Sequence, residues 1–387
     1  MGGAEKTTAH LAKVLAAAGH QVTAISLHDG AEEKIEDWHG VRAIYLPLDN
    51  IYWPFTAKQK PPAFKRLLWH IINMWNFKAA RRIGALLDTI KPDIVNTHMI
   101  TGFSAAIWWE IKKRKIPLAH TLHEYGLLCP RMTLFKKGAM CAKRCVSCVA
   151  LTIPNYVASR WVDQLVGVSA YTKDRHQHFG YFPHAAHRVI HNMVETPLMQ
   201  PHAVPNRPFS FGFIGRIEEE KGIEVVLKAA ARLPHKNWRL VIAGRGRGDY
   251  VQHLKKTYAL ANILWLGFVP PDDYFNQIDL LIVPSIWPEP FASVVPQAAA
   301  REIPVLLSDV GGMPEFLRIG VRGQSVPAGD VDALSAAMHE AYEGRGVMAL
   351  PPAPNPAWQD LLSETTVKDA YLACYYETVF DITHEFR

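Results

Sequence analysis

The stretch from Asp279 to Leu307 leaves few folds open. Asp279-Leu-Leu-Ile-Val283 is a short apolar run that reads as a buried strand, and Pro284 stops it. An irregular loop then carries Glu289, small residues from Ala292 to Ala300 suit a closely packed helix, and Ile303 to Leu307 reads as the next strand. This is an α/β unit. A helix that starts just after a strand aims free N–H groups and a positive dipole end at the sheet's carboxyl edge, a ready site for phosphate. Glu289 would repel a phosphate there, so its carboxylate is expected to accept hydrogen bonds from sugar-like hydroxyls.

A chain of 387 residues is too long for one ordinary core and implies two domains. Apolar residues make up 49% and charged residues 20%, which excludes a disordered chain. The net charge of +6 is unevenly spread. Residues 1–195 hold 25 Lys and Arg against 14 Asp and Glu, and the remainder hold 17 against 22. The basic first half should prefer an anionic partner such as a phospholipid surface or a lipid pyrophosphate. Nucleic acid is not expected, because no nucleic-acid-binding signature accompanies the charge. No run of about 18 apolar residues offers a membrane span. The opening Met-Gly-Gly-Ala-Glu is not a signal peptide, and Lys6 stands where an acylation motif wants Ser or Thr. Five cysteines, an odd number, fit a reducing cytosol. The expected location is cytoplasmic, at the inner face of a membrane.

Along the first half, Ala4 to Ala18 has helical periodicity closed by Gly19, and Gln21 to Leu27 and Val41 to Leu46 read as strands. From Phe64 to Leu87 one long helix is expected, with Phe64, Leu68, Ile71, Trp75, Ala79, Ile83 and Leu86 on one face. Either that face packs on a sheet, or the helix lies at a membrane interface. The two hold together if Trp53, Phe55, Lys58 and Lys60 of the preceding loop, not the helix face, meet the lipid. Asp93 to Asn96 and Leu118 to Leu122 are further strands, and Lys112 to Lys115 caps the helix between them. His123 follows the second strand, where a polar side chain of an open α/β sheet faces the ligand crevice, although a structural histidine fits too. Cys129, Cys141, Cys145 and Cys148 stand at spacings that could close on a structural zinc or remain four reduced thiols. Lys136, Lys137, Lys143 and Arg144 in the same loop would reach an anionic acceptor.

Gln164 to Ser169 and Arg188 to His191 complete the strands of this half, and Pro197 to Pro208 is a Pro-rich linker. Phe209 to Gly215 opens a new domain and runs into Gly215-Arg216-Ile-Glu-Glu-Glu-Lys221-Gly222, followed by a helix from Glu224 to Leu233. Arg216 and Lys221 on a Gly-flanked loop suit a diphosphate, the first as a fork and the second as a point charge. Leu240 to Ala243 leads into Gly244-Arg-Gly-Arg-Gly248, whose third glycine is one place early for a dinucleotide fingerprint. Leu264 to Val269 follows, and Thr366 to Phe380 reads as a last helix.

Glu289-Pro-Phe with its small-residue helix, then Pro304-Val-Leu-Leu-Ser-Asp-Val-Gly-Gly-Met-Pro-Glu315, resembles the signature of family 4 retaining glycosyltransferases. The resemblance implies a GT-B architecture, two Rossmann-like domains facing across a cleft. Residues 1–192 would form the acceptor domain, 193–208 the linker, 209–365 the nucleotide-sugar domain, and 366–387 a helix crossing back to the first domain. It implies a central strand ahead of Gly2 and Gly3, whose loop would open onto the bound molecules. The natural gene is therefore expected to encode about 10–20 further residues upstream. Glu289 would hold the donor sugar, His123 would lie near the reacting carbon, and Arg216 and Lys221 would take the diphosphate. Gly215, Gly244, Arg245, Val269, Phe291, Ala292 and Ser293 would line the donor. The family's second acid, eight positions on, is Gln297 here, which would still accept from ribose. The implied reaction moves a sugar from a nucleoside diphosphate to a hydroxyl of a glycan or lipid-linked acceptor, as in polysaccharide assembly. The leaving diphosphate takes the acceptor proton, and catalysis needs no cofactor or metal. A sugar-nucleotide epimerase using Glu124, and a non-catalytic relative, remain as alternatives.

Overall fold

The computed structural model describes residues 3–55, 61–136, 138–194, 207–234, 237–351 and 356–385, without the side chains of 381–385. Gly2, Lys58, Lys60, Lys137 and most of the linker lie outside them. The chain forms two compact units. One comprises Met1–Leu134, Cys141–Met193 and Glu364–Arg387, and the other Phe135–Met140 and Val194–Ser363.

The second unit is built on six parallel strands. Their order is Ile263–Gly267, Trp238–Ala243, Phe209–Ile214, Leu280–Val283, Val305–Ser308 and Gly323–Val326. In chain order that is 3-2-1-4-5-6, so the order in which successive strands are added reverses between the first strand and the fourth. Alternate side chains feed two cores. Leu240, Ile242, Leu280 and Ile282 face one, with the helices Ile223–Ala230 and Val331–Tyr342. Val241, Ala243, Leu281 and Val283 face the other, with Pro271–Phe275, Val294–Ala299 and Met313–Arg318. Burial on both faces is why these strands read as continuous apolar runs. At the entry to the sheet, Arg207 forks onto Asp279 with two bonds of 2.7 Å, and Asp279 also accepts from the Ser210 amide at 2.7 Å.

The first unit holds two separately hydrogen-bonded sheets. One runs Val22–His28, Val41–Pro47, Lys34–Trp38, with the last strand antiparallel. The other is parallel and runs Val95–Thr97, Leu118–Leu122, Gln164–Gly167, Ala186–Val189. Among the described residues no strand joins Val22–His28 to Val95–Thr97, the place a central strand would occupy. Gly3 lies in the first helix, Gly3–Ala17, and not in a loop before it. The last helix, Glu364–Glu385, belongs to this unit. Val367, Tyr371 and Cys374 share a core with Leu11, Val14 and Leu15, and Tyr375 bonds Asn96 at 2.6 Å.

The single helix expected over 64–87 is two, Ala63–Met74 and Phe77–Ile90. Asn76 breaks it by capping the second helix through the Ala79 amide, while its own amide donates to the Asp49 and Gly102 carbonyls. The second helix buries Ala79, Ile83 and Leu87, but the first buries only Trp69. Phe64, Leu68 and Ile71 therefore do not pack on a sheet, and Phe64 is 67% exposed. No helix among the described residues is long and apolar enough to cross a membrane.

Asp279→Ala strips Arg207 of its carboxylate and the Ser210 amide of its acceptor. A fully buried pair loses roughly 3–5 kcal/mol when one partner goes; with both partners partly solvated, about 2 kcal/mol is expected. Urea denaturation should show an earlier midpoint, and an unchanged midpoint would remove the pair from the account of stability.

Candidate active site

The first and fourth strands of the six-stranded sheet are neighbours, Phe211 opposite Leu280 and Gly212 opposite Leu281. Their following loops therefore leave the carboxyl edge side by side, at the crevice where open α/β sheets bind ligands. The loops are fastened to each other. The Glu220 carbonyl accepts from the Ile286 amide (3.1 Å), the Trp287 amide (3.2 Å) and the Ser285 hydroxyl (3.1 Å). Gly222 is left-handed (φ +72°), and a Cβ there would stand 1.8 Å from the Pro284 oxygen, so only glycine lets the loops approach this closely. Gly311 does the same for Glu289: its Cβ would meet the Glu289 backbone at 2.6 Å, and the Gly312 amide donates to the Glu289 carbonyl at 2.8 Å.

This framework places Lys221 Nζ 2.8 Å from Glu289 Oε2, with side chains only 18% and 9% exposed. The same ammonium lies 5.1 Å from the centre of the Trp287 ring. Arg216 is different: 59% exposed, it pairs with Glu218 and lies 3.9 Å from Glu220. Gly215 and Gly244 meet where their strands end, and a Cβ on Gly244 would stand 1.7 Å from the Gly215 oxygen. The Arg245 carbonyl accepts from the Ile217 amide at 2.8 Å, and its guanidinium sits 4.7 Å from the Phe268 ring centre. The strand Ile263–Gly267 ends short of Val269, which packs half-buried against the core. The small-residue helix is shorter than expected, Val294–Ala299. Ala292 is buried in the core, which leaves only its backbone for a ligand, Phe291 packs on Phe316, and Ser293 is exposed. Gln297 is half-buried, and its backbone carbonyl accepts from the Arg301 guanidinium at 2.8 Å.

In the first unit His123 does not stand alone. Its Nε2 is 2.9 Å from His98 Nδ1, and the rings stack at 27°. A small pocket beside the pair is lined by Thr7, Thr8, Asn192 and Tyr371, and a second by His98, His120, Glu124 and Asn155. Burial holds His98 and His120 well below the usual imidazole range and brings His123 and His176 down to about 4. These imidazoles are neutral. Burial also pushes the Glu124 carboxyl up to about 7. His98 escaped the sequence reading, yet it follows the end of Val95–Thr97 as His123 follows Leu118–Leu122, and the two strands pair. Chemically, one unit carries two cations with a carboxylate beside them, and the other carries neutral hydrogen-bonding imidazoles.

Residues 1–197 match the family described as Glycosyltransferase Family 4, and residues 194–350 match Glycosyl transferases group 1. The chain belongs to glycosyltransferase family 4. This glycosyltransferase is 34% identical over 319 residues to an uncharacterized 42.6 kDa protein in the cps region of Klebsiella pneumoniae, covering 82% of this chain and 84% of the relative. A D-inositol 3-phosphate glycosyltransferase of Mycobacterium marinum is 32% identical over 185 residues, 44% of this chain and 39% of that protein. Among solved structures, sucrose-phosphate synthase from Thermosynechococcus elongatus superposes with a TM-score of 0.68 at 19% identity, over 100% of this chain and 93% of that one. Anabaena HepE in complex with UDP-glucose gives 0.67 at 17%, over 98% and 96%. The fold is GT-B.

Of the four clustered cysteines in the glycosyltransferase, Cys145 and Cys148 have sulfurs 3.1 Å apart, and Cys148 lies 3.7 Å from Cys129. Cys141 offers its carbonyl to Arg175 at 2.7 Å. Among the described residues no three His, Cys, Asp or Glu side chains are placed to hold a metal ion.

The buried imidazoles set a pH dependence. Each is neutral when folded, so below about 6.5 the unfolded chain takes up protons that the folded one refuses. Stability is then lost as pH falls from 6.5 to about 4. Glu124 works the other way, because the folded protein keeps its proton below about 7. Four imidazoles against one carboxyl leave a net loss, so Tm should fall steadily from pH 6.5 to 4.5; a flat profile would show that the histidines titrate freely.

Proposed function

We propose that this glycosyltransferase moves a sugar from a nucleoside diphosphate donor to a hydroxyl of a lipid-linked or cell-surface glycan, with retention of configuration and without a metal ion. The contact between Lys221 and Glu289 carries the reading. It sets a cation and a hydrogen-bond-accepting carboxylate side by side at the strand-order reversal, the separation at which a sugar meets its diphosphate. Lys221 and the exposed fork of Arg216 stabilise charge growing on the leaving diphosphate, which is the work a metal would otherwise do. Glu289 accepts from the sugar hydroxyls, and neutral His123, steadied by His98, offers an uncharged donor or acceptor to the reacting sugar. The leaving diphosphate takes the acceptor proton. Anabaena HepE, a structural relative, binds UDP-glucose, and the Klebsiella relative comes from a cps region; both support the donor class and polysaccharide assembly.

Arg216→Ala should lower kcat more than it raises KM for the donor, because the interaction strengthens as charge develops. Losing one such charged donor costs about 3–4 kcal/mol of barrier, roughly 10²–10³-fold in rate. Gln297→Ala should chiefly raise KM, and Gln297→Glu should keep or improve donor affinity. Steady-state kinetics with a radiolabelled donor and a lipid extract checks all three. Intact turnover in Arg216→Ala would remove the main support for the transferase reading.

The reading extends to a membrane surface. Phe64, Leu67, Leu68 and Ile71 are exposed on Ala63–Met74, which packs against Val146–Ala158, where Val146 (87% exposed), Val149 and Ile153 are also uncovered. Exposed Lys65 and Arg66 border this face, and Phe55 lies exposed in the preceding loop. An apolar face rimmed by cations suits an anionic interface. Replacing Leu67 and Ile71 with Ser should reduce sedimentation with anionic vesicles several-fold while kcat on a water-soluble acceptor stays unchanged. Equal binding of both proteins would put the lipid elsewhere.

A further inference from the structure

The four-cysteine loop plays no part in the donor site, and its geometry favours a different chemistry from metal binding. A tetrahedral zinc needs its donors around one point. Here the Cys145 and Cys148 sulfurs touch at 3.1 Å and Cys148 lies 3.7 Å from Cys129, no group of three among the described residues is placed to hold a metal, and no cysteine is in a disulfide. Cys145 is the residue before the helix Val146–Ala158, extended in backbone and half-exposed, with Sγ 3.3 Å from the Ser147 hydroxyl. Cys148 sits in the first turn, and Cys129 is buried behind it. The loop is held in register by arginines. Arg144 donates to the Leu128 carbonyl (3.1 Å) and the Cys148 carbonyl (3.4 Å), and Arg175 to those of Cys141 (2.7 Å) and Ala142 (3.2 Å).

We infer that Cys145 and Cys148 are a thiol–disulfide exchange pair, with Cys145 attacking a small organic disulfide and Cys148 resolving the product. A Cys-x-x-Cys whose first cysteine stands just before a helix favours the thiolate of that outer cysteine. Burial, together with the neighbouring cysteine sulfurs, keeps the Cys148 thiol protonated far above its usual range, which leaves Cys145, one turn earlier, to attack first. Its thiolate attacks one sulfur of R–S–S–R, forming a mixed disulfide and releasing RS⁻. The Cys148 thiol, already in contact, then attacks the Cys145 sulfur, gives up its proton and expels a second RS⁻, which leaves as RSH. Two protein thiols are oxidised and one external disulfide is reduced to two thiols.

The test uses the full chain, reduced and then treated with oxidised glutathione, alkylated and mapped by mass spectrometry, with metal content measured on the same sample. The expected result is loss of two of the five thiols to a Cys145–Cys148 bond. Cys148→Ser should instead accumulate glutathione on Cys145, and Cys145→Ser should keep Cys148 free under the same conditions; circular dichroism checks that both variants fold. The proposal is overturned if all five thiols survive, if the main bond joins Cys129 to Cys148, if Cys148→Ser gains no glutathione at Cys145, or if the purified protein carries about one thiol-bound zinc per chain.

Discussion

Lys221 and Glu289 stand 68 positions apart in the chain and 2.8 Å apart in the fold, each mostly withdrawn from water. Neither would be stable there alone, since a partly desolvated charge costs several kcal/mol without a partner. Their meeting depends on everything beneath it: two neighbouring strands, a Glu220 carbonyl that three donors share, and a glycine at 222 that lets the Pro284 oxygen in. The arrangement is poised. On the proposed function a diphosphate would compete with Glu289 for the ammonium, and sugar hydroxyls would compete with Lys221 for the carboxylate, so a ligand carrying both would replace the contact on each side at once.

The first unit answers with neutrality. His98 and His123 share one hydrogen bond between two uncharged rings, so whichever ring donates fixes which nitrogen of the other carries its proton. An imidazolium here would favour a phosphate over a sugar and would repel its neighbour. The buried Trp108–Thr97–His120 chain, with bonds of 3.0 and 2.9 Å, stiffens the strands on which both site histidines end. Precision in this unit comes from hydrogen bonds and ring packing, whereas in the other it comes from close backbone approach at glycines.

The parts of this design that local chemistry dictates were legible in the sequence. Leu280–Val283 is buried on both faces and reads as an unbroken apolar run, and Glu289, Arg216 and Lys221 stand out by residue type beside strand ends. What partners decide was not legible. Lys34–Trp38 is a strand exposed at every residue, held by pairing with Val41–Pro47, so no burial pattern marks it. The break at Asn76 is made by Asp49 and Gly102, far off in sequence, inside a periodicity that otherwise continues. His98 became visible only when its strand was seen beside that of His123, and the Lys221–Glu289 contact only when strand order was known.

The most direct test separates the two halves of that contact by calorimetric binding. The ligands are a nucleoside diphosphate chosen by thermal shift from UDP, GDP and ADP, and its sugar conjugate, each titrated into Lys221→Met and Glu289→Gln. Lys221→Met should weaken both ligands. Glu289→Gln should leave the diphosphate as tight or tighter, because Lys221 is released, and weaken only the sugar conjugate. If Glu289→Gln weakens the bare diphosphate as much as the conjugate, or Lys221→Met leaves both unchanged, the carboxylate does not hold the sugar beside a phosphate-binding lysine, and the account fails at its centre.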